Sequence, residues 1–248
     1  MDACELLAQV TATVDYLRAT TGSAIDVVDD RQWLPCLPVV SDPAALLALV
    51  RTTASGRGTD RDDVAMSLFV QGYAFRIASI AVGGSLLADS VLDLSPASTA
   101  IALGRGRPNA VRIDQPRFVD EDLHQHLIDM HLAHLVDTAH RACRVGEALL
   151  WGNVGASCAA SFAAFVDPLP DRREEIRDRI EAFFTMARPE LARSGRVICV
   201  GARWAWERNA CCLWYQTDSG FKCEDCSLWT AADRAARYAA MKSEEALP

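Results

Sequence analysis

Four cysteines near the C-terminus, Cys211, Cys212, Cys223 and Cys226, lie in the run RNACCLWYQTDSGFKCEDC with the spacing CC-x10-C-x2-C. Four soft thiolates inside sixteen residues can close around one metal centre, and three chemistries compete for them. Zinc takes four thiolates in tetrahedral geometry, but its sites usually pair CxxC with another looped pair, and here the first pair has no loop. Neighbouring side chains on an extended strand point to opposite faces. Cys211 and Cys212 therefore converge only if the backbone kinks, or if the centre accepts thiolates at two separate atoms. A [2Fe–2S] rhomb, with two irons each needing two thiolates, is such a centre. Disulfides are the third option. The count of nine cysteines is odd, and Cys143 and Cys158 fall in helix-like apolar segments as small core residues, so a secreted disulfide framework fits poorly.

The stretch from Arg208 to Cys226 resembles the C-terminal iron–sulfur signature of the FhuF-like ferric siderophore reductases. That pattern is Arg-x-x-Cys-Cys-Leu-x-Tyr, a glycine-containing turn, then Cys-x-x-Cys-Pro. Arg208, Cys211, Cys212, Leu213, Tyr215, Gly220, Cys223 and Cys226 fit it, and Ser227 stands where the family usually has proline. Upstream, Leu150-Trp151-Gly152-Asn153 is similar to a second stretch of the same family. The resemblance implies a [2Fe–2S] cluster on the four cysteines and one-electron reduction of a ferric siderophore, of the hydroxamate type, with release of Fe(II). No Rossmann fingerprint is present, so electrons are expected from a separate donor such as a ferredoxin or a flavin reductase. Two other classes compete: an iron–sulfur electron carrier without a siderophore pocket, and a zinc-stabilised Cys4 binding module.

Around the cysteines, Arg203, Arg208 and Lys222 add positive charge, suited to an anionic complex or to plain solvation. Trp204, Trp214, Tyr215 and Trp229, with Trp206 and Phe221, are dense enough to form a small core that also keeps water off a cluster. All five histidines fall between residues 119 and 142. At 100° per residue His134 joins Leu123, Leu127 and Met130 on the apolar stripe, with His124 and His131 at its edge. This predicts His134 as a partly buried structural histidine; the competing expectation puts His131 or His134 in a substrate cleft.

Net charge −8 and a pI near 5.1 argue against nucleic acid as a partner. The opening MDACELLAQ lacks the basic and apolar regions of a secretion signal. The longest uncharged apolar stretch, Ile77 to Ala88, is twelve residues, too short to span a bilayer. The expectation is a cytoplasmic chain with no membrane span.

The elements that must position these residues are mostly helical. Apolar spacing predicts helices over 2–19 and from about Arg61 to Ser79, the latter ending or kinking near Gly83–Gly84. Asp42 and Pro43 start a third helix running to about Ser55, after an irregular, proline-bearing connector over 30–42. Residues 98–103 and 110–114 are two short strands around GRGRPN, a hairpin turn whose Arg105 and Arg107 add positive potential if it faces a ligand. Further helices are expected over 119–142, 145–166, DRREEIRDRIEAFFTMA and 229–243, with strands at 196–202 and within WAWERNACCLWYQ. The fold class is α+β. A mainly helical siderophore-binding region over 1–195 precedes a small [2Fe–2S]-binding region over 196–248.

Overall fold

The computed structural model describes residues 1–14, 17–21, 33–186, 188–200 and 203–244. Asp2 begins the first helix, α1 (Ala3–Thr13), through a capping box with Glu5. The helix stops short of the expected residue 19. Thr11 and Thr13 turn their hydroxyls back onto the Leu7, Ala8 and Gln9 carbonyls, and Val14 is extended, a local competition that weakens helices at β-branched residues. After β1 (Ala19–Thr21), the segment expected as an irregular connector contains β2 (Trp33–Pro35) and α2 (Cys36–Ser41). Pro35 ends an edge strand and Pro38 falls in the first turn of α2, two places where a missing N–H is tolerated. Asp42 caps α3 (Pro43–Ala54), accepting from the Ala44 and Ala45 amides as its sequence predicts.

The centre of the molecule is α4 (Asp62–Ala88), which runs unbroken through Gly83 and Gly84. A Cβ at Gly83 would lie 2.7 Å from Phe165 and from Val10, so this glycine serves close packing and not the expected kink. Among the described residues α4 alone is long and apolar enough to cross a membrane, and 78% of that window is buried inside the fold, as in a core helix.

Strands β3 (Val91–Leu92) and β6 (Phe118–Val119) pair with each other, while β4 (Thr99–Gly104) and β5 (Arg107–Ile113) form the predicted hairpin. Arg105 and Gly106 both have positive φ, 52° and 71°, the geometry of a two-residue hairpin turn. The sheet order is β1-β5-β4-β2, with β1 parallel to β5.

A π-helical stretch over Gln125–Leu132 then leads into α5 (Ala133–Cys143). Its i→i+5 bonding shifts the face seen by later residues, so the regular 100° projection fails here. His126 and His131, five apart, are both buried, and His134 is exposed. The expectation for His134 is corrected accordingly.

The remaining elements are α6 (Glu147–Ala163), α7 (Arg173–Thr185), α8 (Pro189–Ala192), the hairpin β7 (Gly195–Val200) with β8 (Arg203–Arg208), and α9 (Ala231–Glu244). Helices α4 and α6 pack along each other, and Trp206 of β8 joins the same core. The fold is α+β and predominantly helical, with the cysteine-rich segment between β8 and α9.

Candidate metal centre

Strand β8 ends at Arg208, so Cys211 and Cys212 lie in irregular backbone and not on the strand. Leu213 follows them in the left-handed region, φ 67°, and its N–H donates to Cys211 Sγ at 3.4 Å. That turn resolves the adjacency problem. Cys211 Sγ lies 3.9 Å from Cys226 Sγ, and the Cys211 and Cys223 thiols are the hydrogen-bonding neighbours of the Cys212 sulfur. The four sulfurs thus form a continuous row in the order 226, 211, 212, 223. All four are free thiols.

A zinc ion needs four donors around one point and a two-iron centre needs two pairs. Sulfurs that contact one another in sequence can supply either set, so the cysteine cluster is consistent with a metal or iron–sulfur site. The adjoining Cys211 and Cys223 thiols, the Trp214 backbone N–H and the Arg208 charge favour the Cys212 thiolate, while Cys211 and Cys223, donating to it and partly desolvated, are pushed up. Cys212 and Cys226 are buried; Cys211 and Cys223 are half-buried.

This loop is held by a polar chain through the helical core. Ser67 of α4 donates to the Cys212 carbonyl at 2.7 Å. Asn153 of α6 donates to the Ser67 carbonyl and hydroxyl, both at 2.9 Å, and its Oδ1 accepts from Arg208 Nη2 at 2.8 Å. Arg208 is only 1% exposed, with Asp225 3.8 Å from its Nη1. A Cβ at Gly152 would lie 2.6 Å from Ala210 Cβ, so glycine there admits the residue that leads into Cys211. The Leu150–Asn153 stretch thereby acquires its physical meaning. On the second pair's side, the Cys226 amide donates to the Cys223 carbonyl at 3.2 Å, and Trp229 Nε1 donates to the same oxygen at 2.9 Å. Val64, Leu68, Leu213 and Trp214 form an apolar collar around Cys212 and Cys223, and Trp214 packs on Phe221 with ring centroids 4.6 Å apart.

Cys212 and Cys223 also form part of the wall of a cleft of about 430 Å³. Its other walls are the Gly56–Gly58 loop, the Leu68–Arg76 part of α4, Arg107 and Pro108 of the β4–β5 hairpin, and residues of α6. Arg57, Arg76, Arg107 and Arg208 line it, with Asp225 as the acid. Burial lowers the Arg57 pKa to about 10, with Arg107 contributing. A slightly larger neighbouring cleft of about 480 Å³ shares Asp225, Ala156 and Ala160 but touches none of the cysteines.

Of the residues singled out in the sequence, Arg208, Trp214 and Trp229 sit against the cysteine loop. Lys222 lies over the Trp229 ring, 4.7 Å from its centroid, and does not line the cleft. Tyr215 is exposed and accepts from Gln216 Nε2. Trp204 lines the neighbouring cleft with Trp206 and Tyr238. The Arg203 side chain lies outside the described residues. His131 is fully buried between Tyr73 Oη, 2.7 Å from Nε2, and the Leu94 carbonyl, 2.5 Å from Nδ1, and burial lowers its pKa to about 4. Neither it nor the exposed His134 lines the cleft beside the cysteines. Arg57 and Ser67 carry no spacing signal of their own. Arg107 was visible as half of a charged hairpin turn, while its neighbour Arg105 does not line the cleft.

A search of curated proteins returned no match. A family model described as the ferric iron reductase FhuF-like transporter matches residues 67–210, which is 144 of the 248 residues. The matched span opens on Ser67, contains Asn153 and Arg208, and closes on Ala210, one residue before the first cysteine of the row. With more than half of its length matched, the chain belongs to the FhuF-like ferric iron reductase family.

Proposed function

We propose that this protein is a cytoplasmic ferric siderophore reductase in which Cys211, Cys212, Cys223 and Cys226 hold a [2Fe–2S] cluster. The observation that carries this reading is the row of four sulfurs ending in the wall of a cleft. A pure electron carrier or a zinc module needs the sulfurs but no cleft beside them.

Ferric iron is a hard cation held tightly by oxygen ligands such as hydroxamates. One added electron gives ferrous iron, which those ligands hold far less well, so reduction and release are one event. The bound cluster would supply a one-electron carrier, matched to a one-electron reduction. The donor that replenishes it, a ferredoxin or a flavin reductase, is a separate protein. For one electron each ~59 mV changes the equilibrium tenfold, so trapping Fe(II) draws an uphill transfer forward.

The chain's own residues do three things. Val64, Leu68 and Trp214 cover the inner side of Cys212 and Cys223 and exclude water there. The Leu213 and Trp214 amides point at the Cys211 and Cys212 sulfurs, and hydrogen bonds to thiolates are one of the means by which a protein sets a cluster's potential. Ser67, Asn153 and Arg208 fix the loop that presents Cys212 to the cleft.

Protein purified without oxygen is expected to be red-brown and to contain two iron and two acid-labile sulfide per chain. Colourless protein containing one zinc would overturn the assignment.

A further inference from the structure

Arg208 is the largest side chain that the fold buries completely, with 1% of it exposed. A charge so placed has lost its hydration and needs compensation from its surroundings. A guanidinium offers five N–H donors, and Arg208 spends few of them. Nη2 donates to Asn153 Oδ1, a neutral acceptor, at 2.8 Å. Nη1 lies 3.8 Å from Asp225, a carboxylate that is 40% exposed and also accepts from the Cys223 thiol. Nε is buried and has no acceptor among the described residues. Buried donors are nearly always paired, so a deeply buried cation with an N–H to spare points to an anion close by.

Position identifies that anion. Arg208 stands three residues before Cys211, shares a cleft wall with Cys212 and Cys223, and its charge favours the Cys212 thiolate. Asn153, which accepts from Arg208, also donates to Ser67, and Ser67 donates to the Cys212 carbonyl. The guanidinium and the cysteine loop are therefore fixed to one frame. Four thiolates and two sulfides around two ferric ions leave two net negative charges, and one added electron makes three. A fixed, poorly hydrated cation stabilises the second state more than the first.

We propose that Arg208 sets the reduction potential of the centre held by the four cysteines, through its buried charge and by donating its spare Nε–H to a sulfur of that centre. The proposal rests on the [2Fe–2S] reading of the cysteine row. Its direction is upward: the reduced state becomes easier to reach, so a donor of modest reducing power can load the electron. Lys222 is the internal comparison. It carries the same charge beside the second cysteine pair, but it is exposed and lies over the Trp229 ring, 4.7 Å from the centroid, where water and salt screen it.

The test is a redox titration of full-length protein purified without oxygen, with iron and sulfide measured on every preparation. Arg208→Gln is expected to lower the midpoint potential by at least ~59 mV, a tenfold change in a one-electron equilibrium. Arg208→Lys keeps the charge and loses the guanidinium fork, so its potential is expected between Arg208→Gln and wild type. Lys222→Gln is expected to change the equilibrium less than about twofold. Removing a buried arginine can itself unsettle the loop, so the wild-type protein supplies an independent readout. With arginine labelled at Nε by the heavy nitrogen isotope, pulsed electron paramagnetic resonance of the reduced protein is expected to show coupling to one arginine nitrogen. An unchanged potential in Arg208→Gln, an equal shift from Lys222→Gln, or no arginine coupling in wild type would overturn the proposal. Any of these results in protein with full iron and sulfide sinks the proposal alone; protein lacking both sinks the [2Fe–2S] reading with it.

Discussion

Helix α4 supports two buried polar clusters, and their contrast explains which part of the molecule does chemistry. One runs from Ser67 through Asn153 and Arg208 to the Cys212 backbone. The other runs from Tyr73 to His131 and on to Leu94, whose amide donates to His126 Nε2 at 2.8 Å. Both are almost fully buried and both bridge helix to loop. The first contains a permanent cation and holds a loop whose thiols open into a cleft. The second is sealed, with His131 kept neutral by burial. Buried polarity marks structural importance in both places; only the outlet to a cleft and the redox-capable sulfurs separate a site from a brace.

The largest expected effect is at the sulfurs. Cys212→Ser removes the middle of the row and is expected to abolish cluster binding and lower ferric reduction at least about 100-fold, while circular dichroism still shows a folded helical protein. A variant that kept a normal visible spectrum would break the ligand assignment. Next is the brace beneath it. Asn153→Ala leaves the Arg208 guanidinium buried without its acceptor and is expected to cost about 2–4 kcal/mol, seen as a melting temperature about 10 °C lower together with partial loss of bound iron.

The second cluster predicts a different response, to acid. Burial lowers the His131 pKa from about 6.5 in the unfolded chain to about 4 in the folded one. Below about pH 6.5 the unfolded chain takes up a proton that the folded one refuses, so stability present at neutral pH is lost as pH falls from about 6.5 towards 4, by up to about 3 kcal/mol. Denaturant titrations across that range check it, and a flat profile in wild type would contradict the sealed environment. The smallest effect belongs to His134. As an exposed residue outside the cleft, His134→Leu is expected to change stability by less than about 0.5 kcal/mol and leave reductase activity unaltered; loss of activity would reopen its role.

Much of the site was legible because its signals are local. The CC-x10-C-x2-C spacing, the Arg208 and Gly220 flanks and the Leu150–Asn153 stretch are all short-range patterns, as is the Asp42–Pro43 helix start. The cleft was not legible, because Arg57, Arg76 and Arg107 meet only through the packing of a turn, a helix and a hairpin, with no spacing rule relating them. The histidines failed for a different reason. A π-helical stretch changes the angular step between residues, so a projection at constant pitch put His134 inside and His131 at the edge, the reverse of the burial found. At Gly83, sequence alone offers no distinction between a glycine that breaks a helix and one that admits Phe165 and Val10.

One measurement bears most directly on the account. Anaerobically purified, chemically reduced protein is mixed with a ferric siderophore in the presence of a ferrous chelator, and the cluster absorbance and the trapped Fe(II) are followed together. The account predicts reoxidation of the cluster with one Fe(II) trapped per electron delivered. Reoxidation without ferrous release would contradict it.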